Sequence, residues 1–494
     1  MSTRPPPSWR RRFESQWLRW GARLENEWTD QWFPWIAGTV LFFLYFTLAE
    51  ARVRSLDVGA DLAAAAQGAW LIAHGHAPDL TVTGSNLLAQ HLPVGMYPIG
   101  WLTTVLPTIP TLLALQAAGL AYGVVPLWRI ARRVADLRAG AALALIVAYG
   151  VSPTINNLNL ADFHPTAVAV APLLAATYTA LRKQWGYFFL WSLATVIWSA
   201  ELGLVIAGIG VLVFVLGERG PGTLIVVFGL AWAVVAVLVL EPRFGSTGFI
   251  APGAFRAYGS NAFSITGGML IHPNRVLGDL LDEDNIRLIV GLLAPLLFLP
   301  VLAPRFLIPA MGLTALFLVA DVDVRGNGTH EFGLTLTVFA FVAAAFALNR
   351  MGRISIDKIL VDRRVLIALS VAAIGFFCID AVNSPYERPW KWGRQDASDQ
   401  ARHDAVELIG ATASVRASPE ILPLVAERRD VYSLSDRPDP AVATRDVSKV
   451  ILDEAEVEQW SEAEWHRFGA GMAVRKFVLV SDHDGVRVYI RLSG

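Results

Sequence analysis

Two short polar clusters interrupt a chain that is otherwise strongly apolar. The first follows the first long apolar run and contains Asp57, Asp61 and Gln67. Asp57 and Asp61 are four residues apart, so they share one face if this segment is helical. A carboxylate just outside a membrane span is suited to act as a general base or to bind a cation. For Asp57 a structural role is equally open, because Asp commonly caps the helix that follows it.

The second cluster lies at 154–165, between two apolar runs, and contains Asp162 and His164. In extended chain, residues two apart point to the same side, so both side chains could contact one ligand. Such a pair suits a diphosphate, a metal ion or a sugar hydroxyl. For Asp162 the structural alternative is capping of a helix that starts near Pro165. A metal site needs more ligands than these two, so the need for a metal stays open, with Asp162 and His164 as the candidates.

A third group of polar residues is scattered rather than clustered. Glu201 lies within an apolar stretch, where a charge in lipid costs about 3 kcal/mol or more, so we expect it to face a cavity, a partner or the interface. Loops on the same predicted side also hold histidines and arginines, and an arginine can bind phosphate through two parallel hydrogen bonds. The candidates are His91, His330, Arg52, Arg54 and Arg275.

The elements that must position these residues are membrane spans. Of the 494 residues, 54% are hydrophobic and only 17% are charged, whereas soluble chains carry about 25% charged residues. Residues 384–494 hold 34 of the 83 charged residues, so the remainder of the chain is far poorer in charge. This pattern excludes a soluble cytosolic enzyme. The net charge of −1 offers no clustered basic face for nucleic acid.

Apolar runs predict about eleven spans, give or take two, since the hydrocarbon core requires about 20 apolar residues per helix. The stretch 186–217 is either one tilted helix or two, and 93–106 is too short and too interrupted by proline to span. The Lys/Arg bias of the short loops predicts a cytoplasmic N-terminus and, with an odd number of spans, an extracytoplasmic C-terminus. The runs are 33–50, 110–128, 139–153, 166–181, 186–200, 202–217, 222–240, 287–303, 305–320, 333–349 and 365–382.

Three regions follow from these spans. We expect a basic cytoplasmic N-terminus at 1–32, a transmembrane domain at 33–383 and an extracytoplasmic α/β domain at 384–494. The outer loops of the transmembrane domain are 51–92, 154–165, 241–286 and 321–332. In the last region, alternating apolar residues predict strands at 450–453, 476–481 and 486–492 and a helix at 398–410. An Asp-Gly pair within 482–485 predicts a hairpin turn between the last two strands.

Several of these residues together resemble a known family. They are Asp61-Leu62, Gln67, Trp70, Gln90-His91-Leu92-Pro93, Gln116, Val125-Pro126-Leu127-Trp128-Arg129, Ala131-Arg132, Ser152-Pro153, Asp162-Phe163-His164-Pro165 and Glu201. Over about residues 55–350 the chain resembles an uncharacterised family of polytopic membrane proteins from bacteria and archaea, domain of unknown function family 2079. That family is similar in architecture to the GT-C glycosyltransferases. The chain departs from the family at 200–202, where a Lys-Glu-Asp-like triplet is replaced by Ala-Glu-Leu.

The resemblance implies a fold and an activity. The fold is an α-helical polytopic, GT-C-like membrane protein of the plasma membrane, followed by a small α/β domain. GT-C enzymes take sugars from polyprenyl-phosphate carriers at the outer membrane face and carry an acidic residue in the first outer loop. We therefore expect transfer of a sugar from such a donor to an extracytoplasmic glycan, lipid or protein acceptor in envelope glycan or glycoconjugate assembly.

In this hypothesis Asp61 deprotonates the acceptor hydroxyl, with Asp57 as the alternative base. A divalent cation as cofactor stays open, and the lipid-linked sugar is the substrate. Two other functions are kept: a lipid or glycolipid transporter or flippase, and a non-catalytic scaffold for envelope assembly. The lack of an internal repeat argues against the transporter. Donor phosphate or substrate binding is assigned to Asp162, His164, Gln67, His91, Glu201, Arg52, Arg54, Arg275 and His330.

Overall fold

The protein has a helical part followed by a mixed α/β part, here called the tail (described residues from 391 to 492). The computed structural model describes residues 25–89, 91–245, 255–260, 262–320, 329–355, 358–385, 391–457 and 460–492. The predictions for most of the basic N-terminus and for the loop at 321–328 lie outside these residues.

Helices make up most of the described residues before the tail. The first, α1 (Glu27–Arg54), begins at Asn26, whose side chain accepts a hydrogen bond from the Thr29 amide at 2.7 Å, and it ends with two arginines. The others are α2 (Ala60–Ala73), α3 (Met96–Leu102), α4 (Thr108–Ala121), α5 (Val124–Arg133), α6 (Ala139–Gly150), α7 (Pro153–Leu160), α8 (Pro165–Val168), α9 (Val170–Leu181), α10 (Trp185–Val196), α11 (Leu202–Val215), α12 (Arg219–Val235), α13 (Ala262–Ile271), α14 (Pro273–Leu280), α15 (Glu283–Leu293), α16 (Ile308–Val319), α17 (Thr329–Met351) and α18 (Arg363–Asp380).

Several helical stretches are long and apolar enough to cross a membrane. Within the described residues there are five, judged by length and composition: Glu27–Arg54, Thr108–Arg133, Ala139–Leu160, Arg219–Phe244 and Gly333–Met351. Shorter apolar stretches are Val170–Leu181, Leu202–Val215 and Pro304–Val319. A multi-pass helical membrane protein is therefore confirmed, whereas the count of about eleven spans stays a prediction. The stretch 186–217 divides into α10 and α11, and 93–106 contains only the short helix α3.

The main hydrophobic core lies inside the helical part. Tyr45, Trp128 and Tyr149 are among its largest buried side chains. The Tyr149 hydroxyl donates a hydrogen bond of 2.6 Å to the carbonyl of Leu120, so the polar end of this buried ring is satisfied.

Glycines bring α11 and α12 into direct contact. A Cβ atom at Gly229 of α12 would lie 2.4 Å from the backbone nitrogen of Ala207, and one at Gly210 would lie 2.6 Å from that of Val226. Only a hydrogen fits at either position, so the two backbones pack closely, as small residues allow in membrane helices. This packing positions α11, which begins immediately after Glu201.

The tail contains the strands β5 (Val415–Ala417), β6 (Val431–Ser433), β7 (Lys449–Asp453), β8 (Phe477–His483) and β9 (Val486–Arg491). Its helices are α19 (Ala397–Glu407), α20 (Leu422–Val425), α21 (Pro440–Ala443) and α22 (Glu462–Val474). The strands form one sheet with the order β6-β5-β7-β9-β8, in which β5 is parallel to β6 and β7, whereas β9 is antiparallel to β7 and β8. The predicted strands at 450–453, 476–481 and 486–492 correspond to β7, β8 and β9, and the predicted helix at 398–410 corresponds to α19. Two short hairpins in the helical part supply β1 (Asp79–Leu80), β2 (Ser85–Asn86), β3 (Arg353–Ser355) and β4 (Lys358–Leu360).

The tail packs on the loop between α1 and α3, here called the first loop (residues 55–95). Helix α20 packs against α2, and the two helices share one hydrophobic core. The Gln67 side chain donates to the Thr81 hydroxyl at 2.7 Å and to the carbonyl of Arg429 at 3.0 Å, and the amide of Val431 donates to Thr81 at 2.9 Å. The tail is therefore attached to the first loop by both apolar and polar contacts.

Candidate functional site

A cavity of about 860 Å³ lies where the first loop, the α7–α8 turn (residues 161–164) and the tail meet. Its wall combines acidic, basic and apolar side chains from all three segments. The polar residues that line it include Arg52, Asp57, Asp61, His91, Asp162, His164, Asn383, Glu420 and Glu456. Residues from both predicted clusters thus reach one space.

Helix α2 presents one face to this cavity. Asp61, Ala64 and Ala65 all line it, as the 3.6-residue period requires. Asp61 is exposed, whereas Asp57 lies beside Arg52. The Arg52 guanidinium is 3.5 Å from the Asp57 carboxylate and donates a hydrogen bond of 2.7 Å to the Asp57 carbonyl. The arginine therefore holds Asp57 at the cavity edge, and the alanines leave open space beside Asp61.

Asp162 caps α2 from a distant part of the chain. Its carboxylate accepts hydrogen bonds from the amides of Gly59 at 2.7 Å and Asp61 at 3.2 Å. Such a carboxylate satisfies two unpaired amides and stabilises the positive end of the helix. A Cβ at Gly59 would lie 2.7 Å from an Asp162 oxygen, so glycine is needed there. The alternative in which Asp57 caps the helix that follows it is therefore wrong, because Asp162 accepts the hydrogen bonds at the start of α2.

Gln116, which the residue patterns did not single out as a site residue, fixes the α7–α8 turn. Its buried side chain donates to the carbonyls of Leu158 at 3.3 Å and Asp162 at 3.2 Å, and it accepts from the His164 amide at 2.7 Å. Both ends of the amide are thus used, which holds Asp162 towards α2 and His164 at the cavity wall. In the sequence, this role is indicated by the position of Gln116, a polar residue within the apolar run 110–128.

Glu201 contacts a partner, as expected for a carboxylate in an apolar stretch. It is buried, and its two oxygens accept hydrogen bonds from the His91 ring nitrogen Nδ1 and from the Ser199 hydroxyl. His91 itself lines the cavity and has 48% of its side chain exposed. Glu201 therefore reaches the cavity only through His91.

Other predicted site residues lie away from the cavity wall. Gln67 is fully buried in the contact between the first loop and the tail. The Arg54 carbonyl faces Gln395 at 3.5 Å. Arg275 lies over the Tyr258 ring at 5.6 Å and donates to the carbonyl of Ala257 at 3.3 Å. The side chain of His330 falls outside the described residues.

The tail contributes carboxylates that the sequence did not reveal. Oxygens of Glu420, Asp453 and Glu456 lie within 4.8 Å of one another, a spacing that could hold a cation. Arg402 donates a hydrogen bond to Asp453 at 2.6 Å, and its guanidinium lies 2.8 Å from the Glu420 carboxylate. A positive charge therefore already lies beside two of the three carboxylates. Burial raises the pKa of Glu420, and burial together with the Glu420 charge raises the pKa of Glu456 to about 7.

Comparison with known proteins identifies both a family and a fold. Residues 52–479 match the family described as "Predicted membrane protein (DUF2079)". No curated protein sequence matches the chain. The crystal structure of ArnT from Cupriavidus metallidurans bound to undecaprenyl phosphate is similar, with a TM-score of 0.56, 11% identity and coverage of 93% of this chain and 98% of that chain. The apo structure of the same protein gives a TM-score of 0.45, 14% identity and coverage of 97% and 98%. At these identities the first likeness shows a shared fold.

Proposed function

The chain belongs to the DUF2079 family of predicted membrane proteins, and that family is similar in architecture to the GT-C glycosyltransferases. We propose that the protein transfers a sugar from a polyprenyl-phosphate donor to an extracytoplasmic acceptor. The observation that carries this proposal is the cavity shared by the first loop, the α7–α8 turn and the tail. It combines a carboxylate suited to proton abstraction with basic groups suited to phosphate, at the ends of apolar helices.

Asp61 is the better candidate for the base. It lies on the face of α2 that lines the cavity and is exposed, whereas Asp57 precedes the helix and is only half-exposed. A base within hydrogen-bond reach of the proton accelerates such a step about 10²–10⁴-fold. Capping of the same helix by Asp162 keeps Asp61 in place, so Asp162 serves as a positioning residue.

Arg52, His91 and His164 are the candidates for binding the donor phosphate. All three line the cavity, and Arg52 is held by the Asp57 carbonyl with its guanidinium at the wall. The similar fold of a protein crystallised with undecaprenyl phosphate supports a lipid-linked phosphate as the ligand class. Glu420 and Glu456 of the tail line the same cavity, so they are the candidates for contact with the acceptor.

Binding of the donor is tested by native mass spectrometry of the purified protein with a panel of polyprenyl-phosphate sugars. We expect the wild type to retain such a lipid and His164→Ala to lose it. His483→Ala is the matched control, because His483 is an exposed residue of the last hairpin. Failure of every lipid in the panel to bind would refute the donor site. Binding without any sugar transfer would instead favour a flippase.

A further inference from the structure

His91 and Glu201 form a carboxylate–histidine dyad whose imidazole faces the cavity. Glu201 is buried and accepts the hydrogen bond of Nδ1, so the Nε2 edge of the ring is directed away from the carboxylate. Ser199 donates to the second Glu201 oxygen and so fixes the carboxylate. A buried carboxylate on one ring nitrogen sets the tautomer and favours the protonated imidazole, as in histidines that transfer protons.

The backbone around His91 is held in an unusual conformation. His91 and Leu92 have φ values of 61° and 48°, in the left-handed region that residues with a side chain rarely adopt. The conformation is maintained by hydrogen bonds from the Ala200 amide to the His91 carbonyl at 2.7 Å and from the Gly95 amide to the Ile197 carbonyl at 2.8 Å. Backbone strain of this kind clusters at functional sites. The segment carrying His91 is thus fixed to the segment carrying Glu201.

A second buried acidic residue lies near the dyad. Glu241, at the end of the helical stretch Arg219–Phe244, interacts electrostatically with both Glu201 and His91. The other buried side chains beside it, from the first loop and from residues 236–240, are apolar, among them Leu88, Leu92 and Val237.

Apolar residues close to His91 also line the cavity. They are Pro93 and Met96, which follow His91 in sequence, and Trp198, which packs against Gly95. The helix that follows, α3, leads into exposed apolar residues, with Trp101 65% and Val105 79% exposed. Such a surface suits lipid. Glu420 and Glu456 belong instead to the polar wall of the tail. A lipid-linked phosphate with its chain in the membrane would therefore meet His91.

We propose that His91 donates a proton to the departing phosphate of the lipid-linked donor, with Glu201 as its positioning residue; this rests on the transferase function proposed above. As the acceptor oxygen bonds to the anomeric carbon, the bond from that carbon to the phosphate oxygen breaks. The acceptor proton goes to Asp61, and the Nε2 proton of the imidazolium goes to the phosphate oxygen. Solvent then returns the proton from Asp61 to His91. The match is chemical: a phosphate monoester has a second pKa near 6, close to that of imidazole.

The dyad itself is tested without turnover, by ¹⁵N NMR of histidine-labelled full-length protein. His91→Gln assigns the signal. We expect neutral His91 to carry its proton on Nδ1, and Glu201→Gln to move its protonation to lower pH. His74→Gln is the matched control, because His74 is an exposed histidine of the same loop that stacks on Trp70 at 4.0 Å. An Nε2–H tautomer, or a titration unchanged by Glu201→Gln, would overturn the dyad.

The proton transfer is tested by the pH profile of sugar transfer from a polyprenyl-phosphate donor. We expect His91→Gln to lower kcat about 100-fold or more, with a much smaller rise in KM because Arg52 and His164 still bind the phosphate, and to remove the alkaline fall in rate. Glu201→Gln should move that fall to lower pH, which a purely structural role would not do. Wild-type kcat and pH profile in His91→Gln would overturn this inference alone. A wild type inactive with every donor, despite the expected NMR signals, would overturn the transferase function and this step with it.

Discussion

Removal of the Asp162 carboxylate should loosen the helix that carries Asp61. Asp162→Ala deletes two hydrogen bonds to backbone amides, at 2.7 and 3.2 Å. Hydrogen bonds to charged groups contribute about 1.5–3 kcal/mol each, and loss of a capping side chain costs about 0.5–2 kcal/mol. Because this site is only partly buried, we expect a local cost of about 2 kcal/mol. That corresponds to roughly 30-fold more frequent opening of the first turn of α2.

The assay is hydrogen–deuterium exchange of the peptide that covers residues 57–66, because the amides of Gly59 and Asp61 are the donors. We expect about 30-fold faster exchange in Asp162→Ala and a smaller, roughly threefold, increase in Asp162→Asn, which keeps one acceptor oxygen. Asp439→Ala is the matched control: Asp439 caps α21 with bonds of 2.7 and 3.3 Å to Ala441 and Val442, far along the chain. Unchanged exchange at 57–66 in Asp162→Ala would refute the capping role.

Two further predictions concern the tail. Burial raises the pKa of Glu456 to about 7. The contribution of Glu456 to stability is therefore full below pH about 4.5 and is lost as the pH rises through about 7. Glu456→Gln should be as stable as the wild type at pH 4 and more stable at pH 8, on the order of 1–2 kcal/mol after allowance for screening. Thermal unfolding of both proteins across this range measures the difference, and a constant difference would contradict it. Gln67→Leu removes the 3.0 Å hydrogen bond to the Arg429 carbonyl, which keeps the longer one from the Thr81 hydroxyl at 3.5 Å, and it removes the acceptor of the Val82 amide. We therefore expect a cost of about 1–3 kcal/mol and faster release of the tail in limited proteolysis, with the exposed Gln400→Leu as the control.

Local patterns in the sequence predicted the elements that carry the site. Asp57 and Asp61 both line the cavity, but not as two residues of one helix face, because α2 begins at Ala60 and Asp57 precedes it. Asp162 and His164, two residues apart, also both line the cavity. The Asp-Gly turn also formed as expected, with Asp484 and Gly485 at φ values of 45° and 84° between β8 and β9. These features depend on neighbours within a few residues, which a single sequence displays directly.

Contacts between residues that are far apart in the chain could not be predicted from such local patterns. Asp162 caps a helix whose first amide, at Gly59, is 103 residues away, and Gln67 bonds to a carbonyl 362 residues away. The sequence therefore assigned Gln67 to substrate binding, although it joins the first loop to the tail. Glu420 and Glu456 looked like ordinary charges of a soluble domain. Only the packing of α20 on α2 brings them to the cavity.

Transferase activity is tested by following sugar transfer by the purified protein in lipid vesicles, with a radiolabelled polyprenyl-phosphate sugar as donor and envelope lipids and glycans as acceptors. We expect the wild type to label an acceptor and Asp61→Asn to be about 100-fold slower or worse although it stays folded and binds donor. The exposed control Asp404→Asn should keep the wild-type rate. Full activity in Asp61→Asn would contradict the assignment of the base. No labelled product from the wild type, with donor bound, would contradict transfer itself.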